Sequence, residues 1–430
     1  MMEENTNSYR KRIADVLLAE KLDAMGAILI EGPKACGKTT TAEQQAKSVL
    51  YMDDPSNMQQ NLHLAETNIK RLLQGDTPRL IDEWQLAPQL WDAIRFETDH
   101  RKGDGLFMLT GSAVPADNSK IRHSGAGRFA WLTMRPMTLW ESGESSGEVS
   151  LKALFSHPES IDGENSLKIE DVAFAICRGG WPKSLNKKTE KAALRQVVEY
   201  FEAITRSDIS RVDHVERNEH RAKRLMRSYA RLQGAMAGIP TIVEDMKTNE
   251  PESMSDETVA SYIKALKKIF VIEDMAAWNP NLRSKTAIRT SDTRYFVDPS
   301  LAIAALGLGP NDLLNDPETM GLFFETLCVR DLRVYAEAND GHVFHYRDKS
   351  GLECDAVVHL RNGSYGLIEI KLGGNTRIEE GVANLKSLAE KIDTTKMKKP
   401  SFMMVLTAIG QYAYMRTDGV MVVPIGCLKD

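Results

Sequence analysis

The sequence predicts an α/β protein in three parts: a mainly parallel α/β sheet, a helical middle, and a second β-bearing region toward the C-terminal end. Three observations carry that reading. From residue 8 to about 140, short apolar runs alternate with helical stretches, the pattern of parallel strands joined by crossover helices. After a polar break at His157 to Ser166, the periodicity is helical to about 268, with no strand signal. In the last third, the runs 343–346, 356–360, 366–370, 403–406 and 421–424 are apolar and of strand length.

Taken in order, residues 8–25 read as an amphipathic helix with Ile13, Val16, Leu17 and Leu22 on one side. Ala27-Ile28-Leu29-Ile30 reads as a strand, and Thr40 to Ala46 as a helix. Between them lies Gly32-Pro33-Lys34-Ala35-Cys36-Gly37-Lys38-Thr39, which fits the phosphate-binding P-loop at every defined position. Its glycines let backbone N–H groups turn toward a phosphate, and the helix N-terminus adds a favourable dipole. Residues Gly32 to Thr39 together with Thr40 are the expected triphosphate cradle. Lys38 would reach the β- and γ-phosphates, and the Thr39 hydroxyl would hold Mg²⁺.

Two further runs support the loop. Leu80-Ile81-Asp82-Glu83 ends a predicted strand in two acids, at the edge where ligands of open α/β sheets collect. Asp82 would hold Mg²⁺ through water, and Glu83 would polarise a water toward the γ-phosphate. Leu106 to Ser112 is another buried-strand pattern ending in small polar residues. There Thr110 or Ser112 would sense the γ-phosphate or orient the water, unless the run is a plain strand-to-turn transition.

Composition sets bounds on the rest. A chain of 430 residues suggests two to four domains with ample core material. The net charge of −5 supplies no global field toward nucleic acid, so any such contact must be a local patch. Cysteines 36, 177, 328, 354 and 427 are scattered without metal-binding spacing, which argues for a reducing compartment and against structural zinc. No apolar run reaches the length of a membrane span, and Met1 to Arg12 lacks a secretory apolar core, so a cytoplasmic protein is expected.

The stretch Ser142 to Glu148 reads as a flexible connection, and His157 to Ser166 and Thr248 to Asp256 read as polar breaks. Between Arg206 and Arg231, eight Lys/Arg (206, 211, 217, 221, 223, 224, 227, 231) face four acids (208, 213, 216, 219). Ser255 to Leu266 follows as a capped helix with Val259, Ile263 and Leu266 at helical spacing. Runs at Ile269 to Ile272 and Arg294 to Val297 would form a β-wing. The arrangement resembles a winged helix-turn-helix, whose second helix can enter a major groove of duplex DNA. A helical domain with a solvated basic face, docking a protein instead, is the competing reading.

The C-terminal region holds a second constellation. Glu325 lies in a helical pattern, Asp355 opens a strand, and Glu369-Ile370-Lys371 closes the next one. Residues 369 and 371 share a strand face, so an acid and a lysine project together. If Asp355 lies across from them, two carboxylates could hold Mg²⁺ while Lys371 orients or deprotonates a water, as phosphodiester cleavage requires. A weak surface ion pair would leave the same trace.

Together these residues resemble a family of bacterial and archaeal AAA-type ATPases fused to a C-terminal domain of unknown function. The resemblance rests on Gly32 to Thr39, Ile81-Asp82-Glu83-Trp84-Gln85, Leu109 to Ser112, Gly125-Ala126-Gly127-Arg128, Met134 to Glu141, Gly179-Gly180-Trp181-Pro182, Tyr295 to Asp298 and the 355/369/371 set. It implies an AAA-type P-loop ATPase core over 1–145, a helical lid or linker over 146–205, a winged-helix-like domain over 206–310 and a PD-(D/E)XK nuclease-like domain over 311–430. It assigns Glu325, Asp355, Glu369 and Lys371 to a nuclease-type metal site, and gives Arg128, with Arg135 next, the role of an arginine reaching a neighbouring subunit's γ-phosphate. That role implies a homo-oligomer. The sensor position carries Thr/Ser where many AAA-type ATPases carry Asn. The function expected is an ATP- and Mg²⁺-using ATPase or switch associated with DNA, cleaving it or only gripping it. The alternative is a non-nucleolytic regulator that recognises a protein partner.

Overall fold

Alternating apolar runs and helices close into a parallel sheet in the computed structural model, which describes residues 9–112, 121, 123–213, 215–279 and 291–430. The chain separates into two compact units. The first comprises Met1–Pro136, Ala203–Asn218 and Ile263–Val271; the second comprises Met137–Glu202, Glu219–Tyr262 and Ile272–Asp430. The stretch 206–310 thus contributes to both units.

In the first unit, β1 (Ala27–Glu31), β2 (Ser48–Tyr51), β3 (Arg79–Asp82), β4 (Phe107–Gly111) and β5 (Phe129–Thr133) form one sheet in the order β2-β3-β4-β1-β5. All four pairings are parallel. Every residue of β3 and β4 is buried, as expected of parallel strands covered on both faces. The core beside them is aromatic: Trp91 stacks on Phe129 at 3.9 Å between centroids and leans on Trp84. The helices of this unit include α1 (Ile13–Ala24), α2 (Lys38–Glu43), α3 (Met58–Thr67) and α4 (Leu90–His100). The apolar face of α1 differs from the expectation. Ala14, Leu18 and Leu22 recur every four residues and are buried, while Val16 is 62% exposed. Residue 8, the start of the expected helix, lies outside the described residues.

The second unit holds a seven-stranded mixed sheet. Its order is Gly163–Glu164, Tyr412–Met415, Met421–Pro424, Phe402–Thr407, Tyr365–Lys371, Glu353–Leu360 and Gly341–Arg347. Helices Pro317–Glu337 and Asn375–Lys391 belong to the same unit. Three short pairings escaped the sequence reading. Val149–Ser150 joins Leu428–Lys429, Gly163–Glu164 joins Tyr412–Met415, and the last of these joins Met421–Pro424. Two-residue strands made by a distant partner leave no local periodicity. For the same reason Ser142 to Glu148 is no flexible connection: the Ser146 N–H donates to Gly426 O at 2.8 Å, and Ser145 Oγ to Leu428 O at 2.7 Å.

The motifs Met134 to Glu141, Gly179 to Pro182 and Tyr295 to Asp298 meet the long helix at one buried ion cluster. Arg330 lies 2.9 Å from Asp298 and 2.7 Å from Asp331, all three essentially inaccessible. Asp298 also accepts from the Gly180 N–H, and Asp331 from the Leu139 N–H at 2.9 Å. Burial pushes the Asp331 carboxyl up to about 6, against the pull of Arg330. Such a cluster is costly to break, because removing one partner strands a buried charge.

In the middle, helix Asp256–Lys268 has Ser255 Oγ accepting from the Thr258 N–H at 3.3 Å, and buries Val259, Ile263 and Leu266. The expected β-wing is reduced. Phe270 turns the chain at φ 57°, so pairing starts only at Ile272, which bridges Phe296; Met275 then bridges Thr293. Residues 280–290, between these arms, lie outside the described residues. Among the described residues no helix is long and apolar enough to cross a membrane.

Candidate functional site

Parallel register sets the geometry of the first site. Ile30 pairs with Thr110, and Thr110 with Asp82, so the C-terminal ends of β1, β4 and β3 share one edge. At that edge the chain leaves β1 through Gly32, at φ 145°, with Ala35 and Gly37 also at positive φ before α2 begins at Lys38. A Cβ on Gly32 would sit 2.1 Å from Met134 O, which leaves no room for a side chain there.

Lys38 is buried and donates from Nζ to Gly32 O and Pro33 O, both at 2.8 Å. Its ammonium therefore lies folded into its own loop. Thr39 Oγ1 donates to Asp82 Oδ1 at 2.8 Å, and Thr110 Oγ1 donates to the same oxygen. Glu83 has a left-handed backbone at φ 52°, a strained conformation for a non-glycine residue. Its Oε2 accepts from Gln85 Nε2 and lies 3.4 Å from Ser112 Oγ. Burial raises the Glu83 carboxyl above its ordinary range, Gln85 pulls it down, and Asp82 adds to the rise. A carboxyl shifted this way keeps its proton to higher pH than a solvated one does.

The remaining cradle residues fall into two groups. Cys36 is buried, whereas Lys34 is exposed and pairs with Asp208 at 2.6 Å, and Thr40 is exposed on α2. Arg12 does work that the sequence did not disclose. From just before α1 it donates to Cys36 O at 2.8 Å and to Arg135 O at 2.9 Å, fastening the loop to the chain beyond β5. No local signal marks this fastening, since both partners are main-chain carbonyls far along the chain. Arg128 is not brought to this edge. It precedes β5, whose first residue pairs with Ala27 at the start of β1, and it binds Asp99 at 2.7 Å. Arg135 follows β5 on the loop's side.

Residues 25–142 match the family model of an AAA domain. The chain carries an AAA domain. The AAA domain holds every element of the site just described except the Asp208 contact and the Arg12 fastening. Residues 169–312 match a domain of unknown function (DUF8612), and residues 320–428 match another (DUF4143). No curated protein matches the chain. Among solved structures, that of the Aeropyrum pernix ORC1 protein in complex with DNA is similar at 15% identity, covering 74% of this chain and 95% of that one, with a TM-score of 0.24.

The second constellation lies away from the AAA domain in sequence, within the matched segment 320–428. Strand Glu353–Leu360 runs antiparallel to Tyr365–Lys371, with Ala356 opposite Ile368, which places Asp355 beside Glu369. Lys371 bridges them, its Nζ 3.1 Å from Asp355 Oδ2 and 2.7 Å from Glu369 Oε2. Asp355 Oδ2 also accepts from the Ile370 N–H at 2.7 Å. Glu325, on the long helix, accepts from the Tyr295 hydroxyl. Burial, reinforced by Asp355, raises both Glu325 and Glu369 to about 8. Burial opposes the charge on Lys371, yet Asp355 and Glu369 hold its pKa above the ordinary lysine range. Glu369 is fully buried, with Lys371 Nζ against its Oε2 and the Asn384 side chain also bonded to its carboxyl. Among the described residues, no three acid, thiol or imidazole side chains enclose a metal ion by themselves.

The basic segment is largely neutralised. Of its eight cations, Arg217, Lys223, Arg224, Arg227 and Arg231 pair with Asp213, Glu202, Glu252, Glu250 and Asp245 respectively.

Proposed function

We propose that this protein is an ATP-hydrolysing switch, powered at the P-loop edge of its AAA domain, whose nucleotide state governs action on DNA. The observation that carries the reading is the meeting of Lys38, Thr39, Asp82, Glu83 and Thr110 at one strand edge. Thr39 Oγ1 and Asp82 Oδ1 are hard oxygen donors 2.8 Å apart, a set suited to Mg²⁺, which when bound would balance phosphate charge.

The chain's own residues supply the remaining chemistry. An entering triphosphate displaces Lys38 Nζ from the carbonyls of Gly32 and Pro33, exchanging neutral acceptors for charged ones. Thr110 pins Asp82 so that its carboxylate keeps one orientation. Glu83, once ionised, takes the proton of the attacking water, and Ser112 and Gln85 limit where its carboxylate can swing. Arg128 or Arg135, presented by a second copy in a homo-oligomer, would balance charge on the transferring phosphoryl group.

For the C-terminal region we favour a PD-(D/E)XK-like grip on DNA in which Asp355 and Glu369 hold Mg²⁺ beside Lys371. The buried carboxyl of Glu369 and that of Asp355, both already against the Lys371 ammonium, are the oxygen donors such a cation would use. A second reading has its own support. Because five of the eight cations of the basic segment are already paired with carboxylates, that surface suits a protein partner better than a phosphate backbone. All five cysteines are buried and free, in keeping with a cytoplasmic setting.

The test is steady-state ATP turnover with and without duplex DNA, using Lys38→Ala as the blank. Turnover that rises with DNA supports the leading reading. Turnover indifferent to DNA supports the regulator with a protein partner. Wild-type turnover no greater than the blank overturns both.

A further inference from the structure

The chain just ahead of the AAA match touches the P-loop and the elements on either side of it. Arg12, only 6% exposed, holds Cys36 O and Arg135 O with the two terminal nitrogens of one guanidinium. The Tyr9 hydroxyl donates to Asp15 Oδ1 at 2.6 Å and lies 2.9 Å from the Oγ1 of Thr41, a fully buried residue of α2. Asp15, in the first turn of α1, accepts from the Arg12 N–H at 2.7 Å through its other oxygen. Tyr9, Arg12 and Asp15 thus form one brace against the loop, the helix that follows it and the chain beyond β5. Burial, with the bond to Asp15, holds the Tyr9 phenol well above its ordinary range, so it stays a proton donor. All three residues precede the matched segment 25–142.

The contact at Cys36 has a consequence for phosphate. A trans peptide directs its carbonyl and the following N–H in opposite directions. Arg12 holds the Cys36 carbonyl, so the Gly37 N–H is turned away from the brace. That N–H belongs to the glycine-bearing run whose backbone donors are suited to cradle phosphate, and it stands one residue before α2 begins. Gly37 sits at φ 103°, and a glycine lets the peptide plane rotate more freely than another residue would. A hold from outside the loop therefore matters here. Guanidinium is suited to it, because a planar fork fixes two acceptors at once, in this case on separate segments. The back of the loop is held at the same level. Cys36 Sγ lies 3.7 Å from Met134 O, and the Met134 N–H donates to Glu31 O at 2.8 Å.

We propose that Arg12 is a positioning residue for triphosphate binding. By holding the Cys36 carbonyl it keeps the Gly37 N–H presented before a ligand arrives, and Tyr9 and Asp15 keep Arg12 in place. The proposal rests on the reading of residues 32–39 as a triphosphate cradle. The ligand chemistry that Arg12 serves is the polyphosphate rather than the base, since the loop backbone is what it holds. Pre-ordered donors spare the ligand the entropy of ordering them, so the benefit is read in affinity.

The test is displacement of a fluorescent ATP analogue from the full chain by Mg·ATP and by Mg·tripolyphosphate, which carries no base. Wild type is compared with Arg12→Ala, Arg12→Lys, Tyr9→Phe and Lys38→Ala, each also followed by thermal unfolding. Arg12→Ala should weaken both ligands by about tenfold, the loss that one charge-assisted hydrogen bond carries. Arg12→Lys, whose ammonium lacks the fork, should weaken both by about threefold, and Tyr9→Phe by less. Phosphate release at saturating ATP should stay near the wild-type rate in Arg12→Lys, since the hold acts on binding. Should Arg12→Ala not fold, Arg12→Lys decides by the same signs. Weaker ATP with unchanged tripolyphosphate would assign the segment to the base and overturn the proposal. A lower melting temperature with both affinities unchanged would mark a structural role and overturn it too. So would a fall in saturating turnover as large as the fall in affinity, which belongs to a group acting in the transition state. Wild-type affinity for both ligands in Lys38→Ala would overturn the cradle itself, and Arg12's role with it.

Discussion

The P-loop edge and the C-terminal cluster each set a lysine beside acidic side chains, but by opposite means. At the P-loop, Lys38 rests on neutral carbonyls and the carboxylate of Asp82 is held by two hydroxyls, so neither charge is cancelled before a ligand arrives. In the C-terminal cluster, Lys371 already lies between Asp355 and Glu369, and burial drives two glutamates up to about 8. The first site waits for charge; the second has satisfied part of its own. The difference teaches that similar residue types specify a phosphate cradle or a self-paired acid cluster according to what the backbone supplies. Open main-chain groups at a strand edge favour the former, and paired strands in a sheet interior the latter.

Three substitutions sharpen that contrast. The largest effect belongs to Glu83→Gln, which keeps the shape and its contacts with Gln85 and Ser112 but removes the base. Phosphate release at saturating ATP should fall by about 10²–10⁴-fold, with ATP affinity little changed in equilibrium binding. A parallel loss of binding would remove Glu83 from the base role. Next, Lys38→Ala should weaken ATP binding by roughly 10²-fold, the worth of charge-assisted hydrogen bonds totalling about 3 kcal/mol, as read by fluorescent-nucleotide titration. The smallest effect is on stability. Because the Glu369 pKa is raised from 4.5 to about 8, the folded protein holds a proton there that the unfolded chain releases. Stability is therefore undiminished below about pH 4.5 and declines as pH rises toward 8. Glu369→Gln should leave the melting temperature near that of wild type at pH 5 and raise it at pH 9, where the wild-type carboxylate must ionise in its buried site. A lower melting temperature at pH 9 would mean that the pair with Lys371 outweighs the burial cost.

Legibility followed the same division. Gly32 to Thr39, Asp82, Glu83 and Thr110 could be read because each motif is local and parallel strand ends collect on one edge by rule. The pairing of Asp355 with Glu369 followed from hairpin spacing, since side chains directly opposite in antiparallel strands share a face. The contacts of Arg12, Asp208 and Tyr295 could not be read, because each reaches residues dozens of positions away through one or two hydrogen bonds. The misplaced face of α1 came from counting Val16, whose neighbours Ala14 and Leu18 carry the four-residue repeat instead. The count of cations over 206–231 misled in another way. Net charge along a sequence ignores acids brought alongside by folding, and Asp245, Glu250 and Glu252 come from beyond the segment that was counted.

The most direct test of the account is phosphate release from Mg·ATP by three proteins side by side: wild type, Lys38→Ala, and the double variant Asp355→Asn, Lys371→Ala. The account predicts turnover in the wild type, its loss in Lys38→Ala, and its retention in the double variant. Turnover that survives Lys38→Ala, or that disappears only when the C-terminal cluster is altered, would contradict the placement of ATP chemistry at the P-loop edge.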